Sequence, residues 1–480
     1  MTSRIAACLA ALLLVIPAGA HVGSPDTYLD GMAGPYQVSV IIRPPVVIPG
    51  LAEMELRTPS DAVDGVHATV LMMAGAGSQQ APSPETLTPD PKEAHCWRGH
   101  IWFMVEGTLR MRFTISGKMG SGTLELPVAS AATATAPMSS LVKVVLSVLG
   151  SLLVIGVVAI VGMANGEALL AAGQNLAPAQ SRKKRQAQAV ALISVAGLLF
   201  GGRLWWNNQQ ARAEQSLYRP ASMQAKLNGS LLTLTLGKSG WYQTRSLDAF
   251  LPDHNHLMHL YVVRWPQTDV ALHLHPDLAA PGVFSQTLPE MPAGNYRLFG
   301  DIVHADGYPE TLTAALSLPA LRAGRLQGDD AIGYASPFVE QWMSRSPLAN
   351  GNEMVLMNAA TPVSAGTRTD WRVEIQDAHG KPLNDILPYM GMLGHAAFLD
   401  ADGTTFAHTH PTGTVSMAAF NLLKAGDTGT APDMKMDMSG GGLTTVTFPY
   451  GLPKRGWYRL IVQMRRPNGI ETGFFNVQAR

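Results

Sequence analysis

The chain has 480 residues with 35 basic and 35 acidic side chains, 14 histidines and a formal net charge of zero. That balance removes any electrostatic case for nucleic acid or another highly charged partner. Hydrophobic residues make up 46% against 15% charged, which points to a membrane-associated chain of about three domains at ~150 residues each.

Residues 1–20 read as a secretory signal peptide: Arg4, an apolar stretch from Ile5 to Ile16, then Ala18-Gly19-Ala20. Cleavage after Ala20 leaves His21 as the new N-terminus, where amine and ring together can chelate copper with His67, His95 or His100 as partner; a leading histidine without any role is the plainer reading. Cys8 lies in the leader, so the mature chain keeps one cysteine, Cys96. It is either a buried small hydrophobe or an odd thiol open to a metal.

Residues 21–130 are expected to form an N-terminal β-sandwich, because "YQVSVIIRP", "AEMELRT", "ATVLMM", "LRMRFTI" and "GTLELPV" alternate or are rich in branched residues between Pro and Gly clusters. "ASAATATAP" is a low-complexity tether. A first transmembrane helix is expected over 140–164, with Val144–Met163 free of charge and long enough for ~30 Å of hydrocarbon. A second follows over 187–207, where Arg203 can snorkel and Trp205 and Trp206 supply an interfacial belt. Between them, the 165–186 loop carries Arg182, Lys183, Lys184 and Arg185 and should stay cytoplasmic. Both flanks then face outward, which places the chain in a bacterial inner membrane with its N- and C-terminal domains in the periplasm. Gly197 and Gly201 form a GxxxG able to seat the two helices together or to make a homodimer.

Beyond the second span the sequence repeats. "MHLYVVRWPQTDVALHLHP" (258–276) matches "GHAAFLDADGTTFAHTHP" (394–411), and "AGNYRLF" (293–299) matches "RGWYRLI" (455–461). Two β modules of one kind account for this, over 221–320 and 352–480, joined by a 321–351 linker with a short helix around Phe338 to Met343. The second repeat carries 27 more positions between its His-x-His and the shared Gly-x-Tyr-Arg-Leu, and these contain Met434, Met436 and Met438.

With Asp400–Gly403 as the hairpin loop, Leu399 faces Thr404 and His395 sits across from His408, with His410 on the same face two positions on. A Trp265–Gln267 loop likewise pairs His259 with His273, followed by His275. Opposed Cβ atoms lie ~5 Å apart, a spacing at which three imidazoles converge on one metal at ~2 Å from each nitrogen. One histidine on a strand is more often a hydrogen-bonded core residue, and a shared hydrogen-bond cluster fixing each hairpin is the bland alternative. Three on one face, reproduced in a second module, favour a ligand set. Imidazole suits copper and zinc alike, and soft thioethers at Met434, Met436 and Met438, with Met390 and Met392 before His395, tip the choice to copper. "DHNHLMH" adds Asp253, His254 and His256 before His259, and His304 follows the first Tyr-Arg-Leu. If these contribute, only the first module has the larger site.

The segment "HIWFMVEGTLRMRFTISGKMGSGTLELPV" and the two His-x-His-Pro repeats resemble the YtkA/FixH type of small extracytoplasmic β-sandwich. The resemblance implies an association with copper handling and respiratory oxidase assembly. The expected architecture is mainly β: three Ig-like or cupredoxin-like sandwiches plus a two-helix transmembrane hairpin. The expected function is binding rather than catalysis, in copper storage, resistance or delivery to an acceptor such as a respiratory oxidase or efflux component. A metal-independent partner-binding or sensor module is the first alternative. The second is a three-His metalloenzyme, against which stands the absence of Ser-His-Asp order, a phosphate loop, HExxH or CxxC.

Overall fold

The computed structural model describes residues 23, 26–73, 81–171, 173–238, 245–322, 324–348, 351–425 and 443–480. The expected leader at 1–20, His21, and Met434, Met436 and Met438 lie outside the described residues. The chain divides into two compact units, Ala132–Tyr218 and the remainder.

In the larger unit, the N-terminal region consists of β1 (Thr27–Ala33), β2 (Tyr36–Arg43), β3 (Gly50–Arg57), β4 (Val63–Met72), β5 (Glu85–Pro89), β6 (Cys96–Phe103), β7 (Gly107–Gly117) and β8 (Gly120–Ser130). They form one sheet, ordered β1-β2-β3-β6-β5-β4-β7-β8. It wraps around a single core because alternate residues point inward: Val38, Val40 and Ile42 from β2, Phe113 and Ile115 from β7, Leu124 and Leu126 from β8. The two ends of the sheet approach so closely that a Cβ on Gly34 (φ 58°) would lie 2.9 Å from the Gly122 backbone, so only glycine fits.

The smaller unit is a helical hairpin, α1 (Ser140–Gly166) and α2 (Pro178–Ser216). Both helices are long and apolar enough to cross a membrane. Ser139 caps α1 by accepting from the Val142 amide. Proline opens α2 at a position where no amide is needed, so the helix starts earlier than expected and Arg182–Arg185 lie in its opening turns rather than in a loop. A Cβ on Gly197 or Gly201 would meet nothing within 4 Å among the described residues, whereas one on Gly162 would meet Gln188 and one on Gly166 would meet Lys184.

The first repeat contains β9 (Ser222–Asn228), β10 (Leu231–Gly237), β11 (His259–Arg264), β12 (Val270–Leu274), β13 (Asp277–Ala280), β14 (Val283–Thr287), β15 (Gly294–Val303), β16 (Pro309–Leu318) and β17 (Ala331–Tyr334). Sheets β13-β14-β10-β9 and β16-β15-β11-β12-β17 enclose its core. The second contains β18 (Arg345–Pro347), β19 (Glu353–Leu356), β20 (Thr369–Gln376), β21 (His395–Asp400), β22 (Phe406–Thr409), α3 (Met417–Ala425), β23 (Thr445–Tyr450), β24 (Gly456–Arg466) and β25 (Gly469–Ala479). Its sheets are β18-β19-β20-β23 and β22-β21-β24-β25. The expected helix at 338–343 is not formed. Phe338 instead donates to the Gln267 carbonyl, and Met343 exchanges backbone bonds with Asn476, so these two linker amides are satisfied by the first repeat's hairpin loop and by β25.

The two repeats pack against each other through a separate apolar layer, with Tyr261, Val263, Ala271 and Phe299 from one and Ala397, Leu399, Phe406 and Ile461 from the other. Strands β11 and β21 therefore bury both faces: Leu260 and Val262 fill their own core while Tyr261 and Val263 fill the shared one. Hence both strands read as continuous apolar runs.

The repeated Tyr-Arg-Leu has a structural purpose. Tyr296 and Tyr458 each donate to the carbonyl four residues upstream, at 2.7 and 2.9 Å. Each arginine crosses to the other repeat's hairpin loop, Arg297 to the Asp402 and Gly403 carbonyls and Arg459 to the Thr268 carbonyl. The N-terminal region joins the second repeat through Asp30 donating to Thr412, Thr414 donating to Tyr28, and the Arg368–Asp30 pair.

Candidate metal centre

Each histidine hairpin has a five-residue loop, longer than the sequence suggested. In the second repeat the Asp400 carboxylate accepts from the amides of Thr404 and Thr405 and from the Thr404 hydroxyl, which keeps both threonines in the turn. In the first, Arg264 pairs with Asp269 across the loop. The register is consequently two residues away from expectation: His408 lies opposite Ala397 and His273 opposite Tyr261. A two-residue shift preserves which face each side chain occupies, so both triads survive it.

The face they occupy is the one between the repeats. Within the first triad, ring centroids lie 5.3, 5.0 and 4.7 Å apart; within the second, 5.4, 4.9 and 4.8 Å. Between triads, His273 is 5.4 Å from His408 and His259 is 5.5 Å from it. The two sites expected from sequence therefore stand as two three-histidine groups that adjoin across the interface of the repeats. His254 and His256 join them from opposite sides of a tight turn. His256 stacks on His275 at 4.0 Å, whereas His254 crosses over to His410 at 4.9 Å and His395 at 5.4 Å. The larger site is thus not confined to the first module, because its turn serves both triads.

Outer partners assign the ring protons. A carbonyl only accepts, so His259 Nε2–H donates to the Asp253 carbonyl at 3.0 Å and His395 Nε2–H to the Tyr389 carbonyl at 3.2 Å. The remaining Nδ1 of each neutral ring is a lone pair. His273 Nδ1–H donates to Gln463 Oε1 at 2.9 Å, and His408 Nδ1–H to Asp301 Oδ2 at 3.2 Å, which leaves lone pairs on their Nε2 atoms. These lone pairs face each other: His259 Nδ1 to His273 Nε2 at 3.1 Å, and His395 Nδ1 to His408 Nε2 at 3.2 Å. Two nitrogens bound to one tetrahedral metal at 2.0–2.1 Å lie about 3.3 Å apart. His275 donates Nδ1–H to Asp330 at 3.2 Å, and among the described residues its Nε2 has no partner and both His410 nitrogens are buried without one.

Burial pushes the imidazoles of His259, His273, His395 and His410 well below their usual range, and those of His275 and His254 down as well, with neighbouring histidines adding to the effect in most of these rings. The rings are held neutral, the form that binds a metal. Asp253, whose carboxyl burial pushes up, accepts from the Ala418 amide at the start of α3. It thereby anchors the second repeat's insertion to the first repeat's turn.

The other candidates sit elsewhere. His304 bonds Glu310 at 2.9 Å beside Phe250 and Tyr308. His67 bonds Thr86 and His95 faces Asp61, both in the N-terminal region. Cys96 is buried with its thiol pushed up, first by desolvation, and it forms a group with Asp90 and Glu93 whose ligand atoms lie within 4.8 Å of one another. Sequence reasoning did not single out Asp301, Gln463 or Asp330. A signal existed for the first two: they share one offset of 162 between the repeats, on the strand carrying Tyr-Arg-Leu.

Residues 349–480 match a family described as a domain of unknown function, DUF8832. The match spans the second repeat and leaves the first outside. No curated protein matches the chain. Among solved structures, it is similar to a tetra-tandem repeat from the extending region of a large adhesion protein, at 10% identity over 94% of this chain and 82% of that one, TM-score 0.17. It is also similar to chicken CNTN1 FN1–FN3 domains, at 7% identity over 92% and 97%, TM-score 0.13.

Proposed function

We propose that this chain is a membrane-anchored metal-binding protein whose cargo is copper, held between its two C-terminal repeats. The observation that carries the reading is the pairing of lone pairs: in each repeat two imidazole nitrogens deprotonated by their outer partners face each other at 3.1–3.2 Å. Without a cation between them these contacts are repulsive, and burying His410 without hydrogen bonds costs about 1–3 kcal/mol per unmet group. A metal ion removes both costs. The outer bonds to carbonyl, amide and carboxylate match the way metal-bound imidazoles are usually oriented.

Copper is favoured over zinc by thioethers. The turn that offers His254 and His256 in the first repeat offers Met390 and Met392 at the equivalent positions of the second, and soft sulfur prefers Cu(I). The two apolar helices would anchor the chain in a bacterial inner membrane, with the β unit on the periplasmic side as the basic residues of α2 direct. Storage, resistance and delivery to an oxidase or efflux acceptor all fit such a site, and so does the resemblance to YtkA/FixH modules.

A second reading has one observation in its favour. With the Gln463 amide turned over, its Nε2–H donates to His273 Nδ1, and His273 Nε2–H then donates to His259 and turns one repulsive contact into a hydrogen bond. In that case the cluster only fixes the hairpins.

The test is copper and zinc content of the purified full-length chain after loading and desalting, for the wild type and for His273→Ala/His275→Ala and His408→Ala/His410→Ala. Retained copper that falls in both variants supports metal binding. A wild type that retains neither metal, with variants merely less stable, establishes the hairpin-fixing cluster.

A further inference from the structure

The sequence alone suggests two sites of equal kind, one per repeat. The structure does not keep them apart. Ring separations between triads are 5.4 Å for His273–His408, 5.5 Å for His259–His408, 5.8 Å for His273–His395 and 6.4 Å for His259–His395, and the two to His408 fall against the upper end of those within a triad, 5.3 and 5.4 Å. Tyr261 is itself part of the join: its ring stacks on His273 at 4.3 Å and meets His408 edge-on at 5.3 Å, and its buried hydroxyl has no hydrogen-bond partner among the described residues.

The outer bonds cross between repeats as well. His273 of the first is oriented by Gln463 of the second, and His408 of the second by Asp301 of the first. His254, from the first repeat's turn, packs on His395 and His410 of the second triad while also lying 5.9 Å from His259 of the first. Each half therefore depends on the other for ligand orientation.

We infer that the two triads hold two copper ions as one dinuclear centre, built across the interface of the repeats, rather than as two independent mononuclear sites. Ions in paired sites of this kind lie about 3.5–4 Å apart and can share a bridging ligand. The Tyr261 ring lies against one ring of each triad, and its unspent hydroxyl is a donor suited to a small bridging anion such as hydroxide. This inference rests on the copper reading above and goes beyond it.

The experiment is copper quantitation combined with electron paramagnetic resonance on the full-length chain loaded with Cu(II). Two ions per chain with spin intensity far below two, or a dipolar-split spectrum with a half-field transition, supports the dinuclear centre. Removing one triad with His408→Ala/His410→Ala should then leave one ion with a full, ordinary mononuclear spectrum, a gain of signal despite a loss of metal. Two ions with two full, unsplit spins overturn the inference and leave copper binding standing. One ion per chain in the wild type also overturns it. No retained copper overturns the functional reading itself. The wild-type spectrum decides even if the variant fails to fold.

Discussion

The two repeats share a backbone plan and differ in the residues that finish it. At an offset of 136, Asp253, His254 and His256 of the first correspond to Tyr389, Met390 and Met392 of the second, in turns with the same paired backbone bonds. His254 and Asn255 take positive φ in one, Met390 and Gly391 in the other. At an offset of 162, Asp301 corresponds to Gln463, and each serves the opposite triad. The comparison teaches that two repeats on one backbone plan present different chemistry at equivalent positions: nitrogen in one turn and sulfur in the other, a carboxylate behind one triad and an amide behind the other.

The largest expected effect breaks both halves at once. The unfolded chain protonates histidine near 6.5, while burial holds the folded rings of His259, His273, His395 and His410 below that. The unfolded state therefore binds more protons as pH falls. Stability of the metal-free protein is full above about 6.5 and is lost below it, by up to ~1.4 kcal/mol per pH unit for each ring that stays neutral only when folded. Denaturant unfolding at a series of pH values checks this; a flat profile between pH 7 and 5 would refute it.

Next come the arginines of the shared motif. Arg459 is 2% exposed, its guanidinium pulled down to about 10 by burial, and it bonds Thr268, Ser336 and Asn476. Arg459→Ala should cost about 3–5 kcal/mol. Arg297 lies over Trp265 nearer the surface, and Arg297→Ala should cost about 1 kcal/mol. Thermal unfolding ranks the two, and equal losses would contradict the asymmetry.

Exchanging the outer partners sharpens the comparison further. Asp301→Asn should weaken copper at the second triad about 10–100-fold, the usual effect of losing an orienting carboxylate. Gln463→Glu should strengthen the first in the same sense. Competition against a chromophoric chelator reads both. The smallest effect belongs to the turn: His254→Met makes the first repeat resemble the second and should lower Cu(II) affinity several-fold while sparing Cu(I). Titrations in the two oxidation states measure the difference, and equal loss in both would remove the argument from softness.

How much of this was legible in the sequence varies by residue. His259, His273, His275, His395, His408 and His410 could be placed on common faces because strand alternation has period two, and a register error of two residues leaves that parity intact. The hairpin loops were misjudged, since Asp400 and the Arg264–Asp269 pair lengthen each turn by side-chain bonds that spacing does not reveal. The start of α2 was placed too late, because basic residues at 182–185 read as a loop although Pro178 had already begun a helix.

By itself the sequence determined the strands, the apolar helices, the duplication and the two histidine triads, all of which follow from short-range periodicity. Only the tertiary structure decided that the triads face each other, that His254 crosses over to the second, and that Asp301 and Gln463 orient rings in the opposite repeat. The physical reason is that β11 and β21 are apolar on both faces. Local pattern says such a strand must be covered twice, but which partner covers the second face is settled by the packing of one repeat on the other.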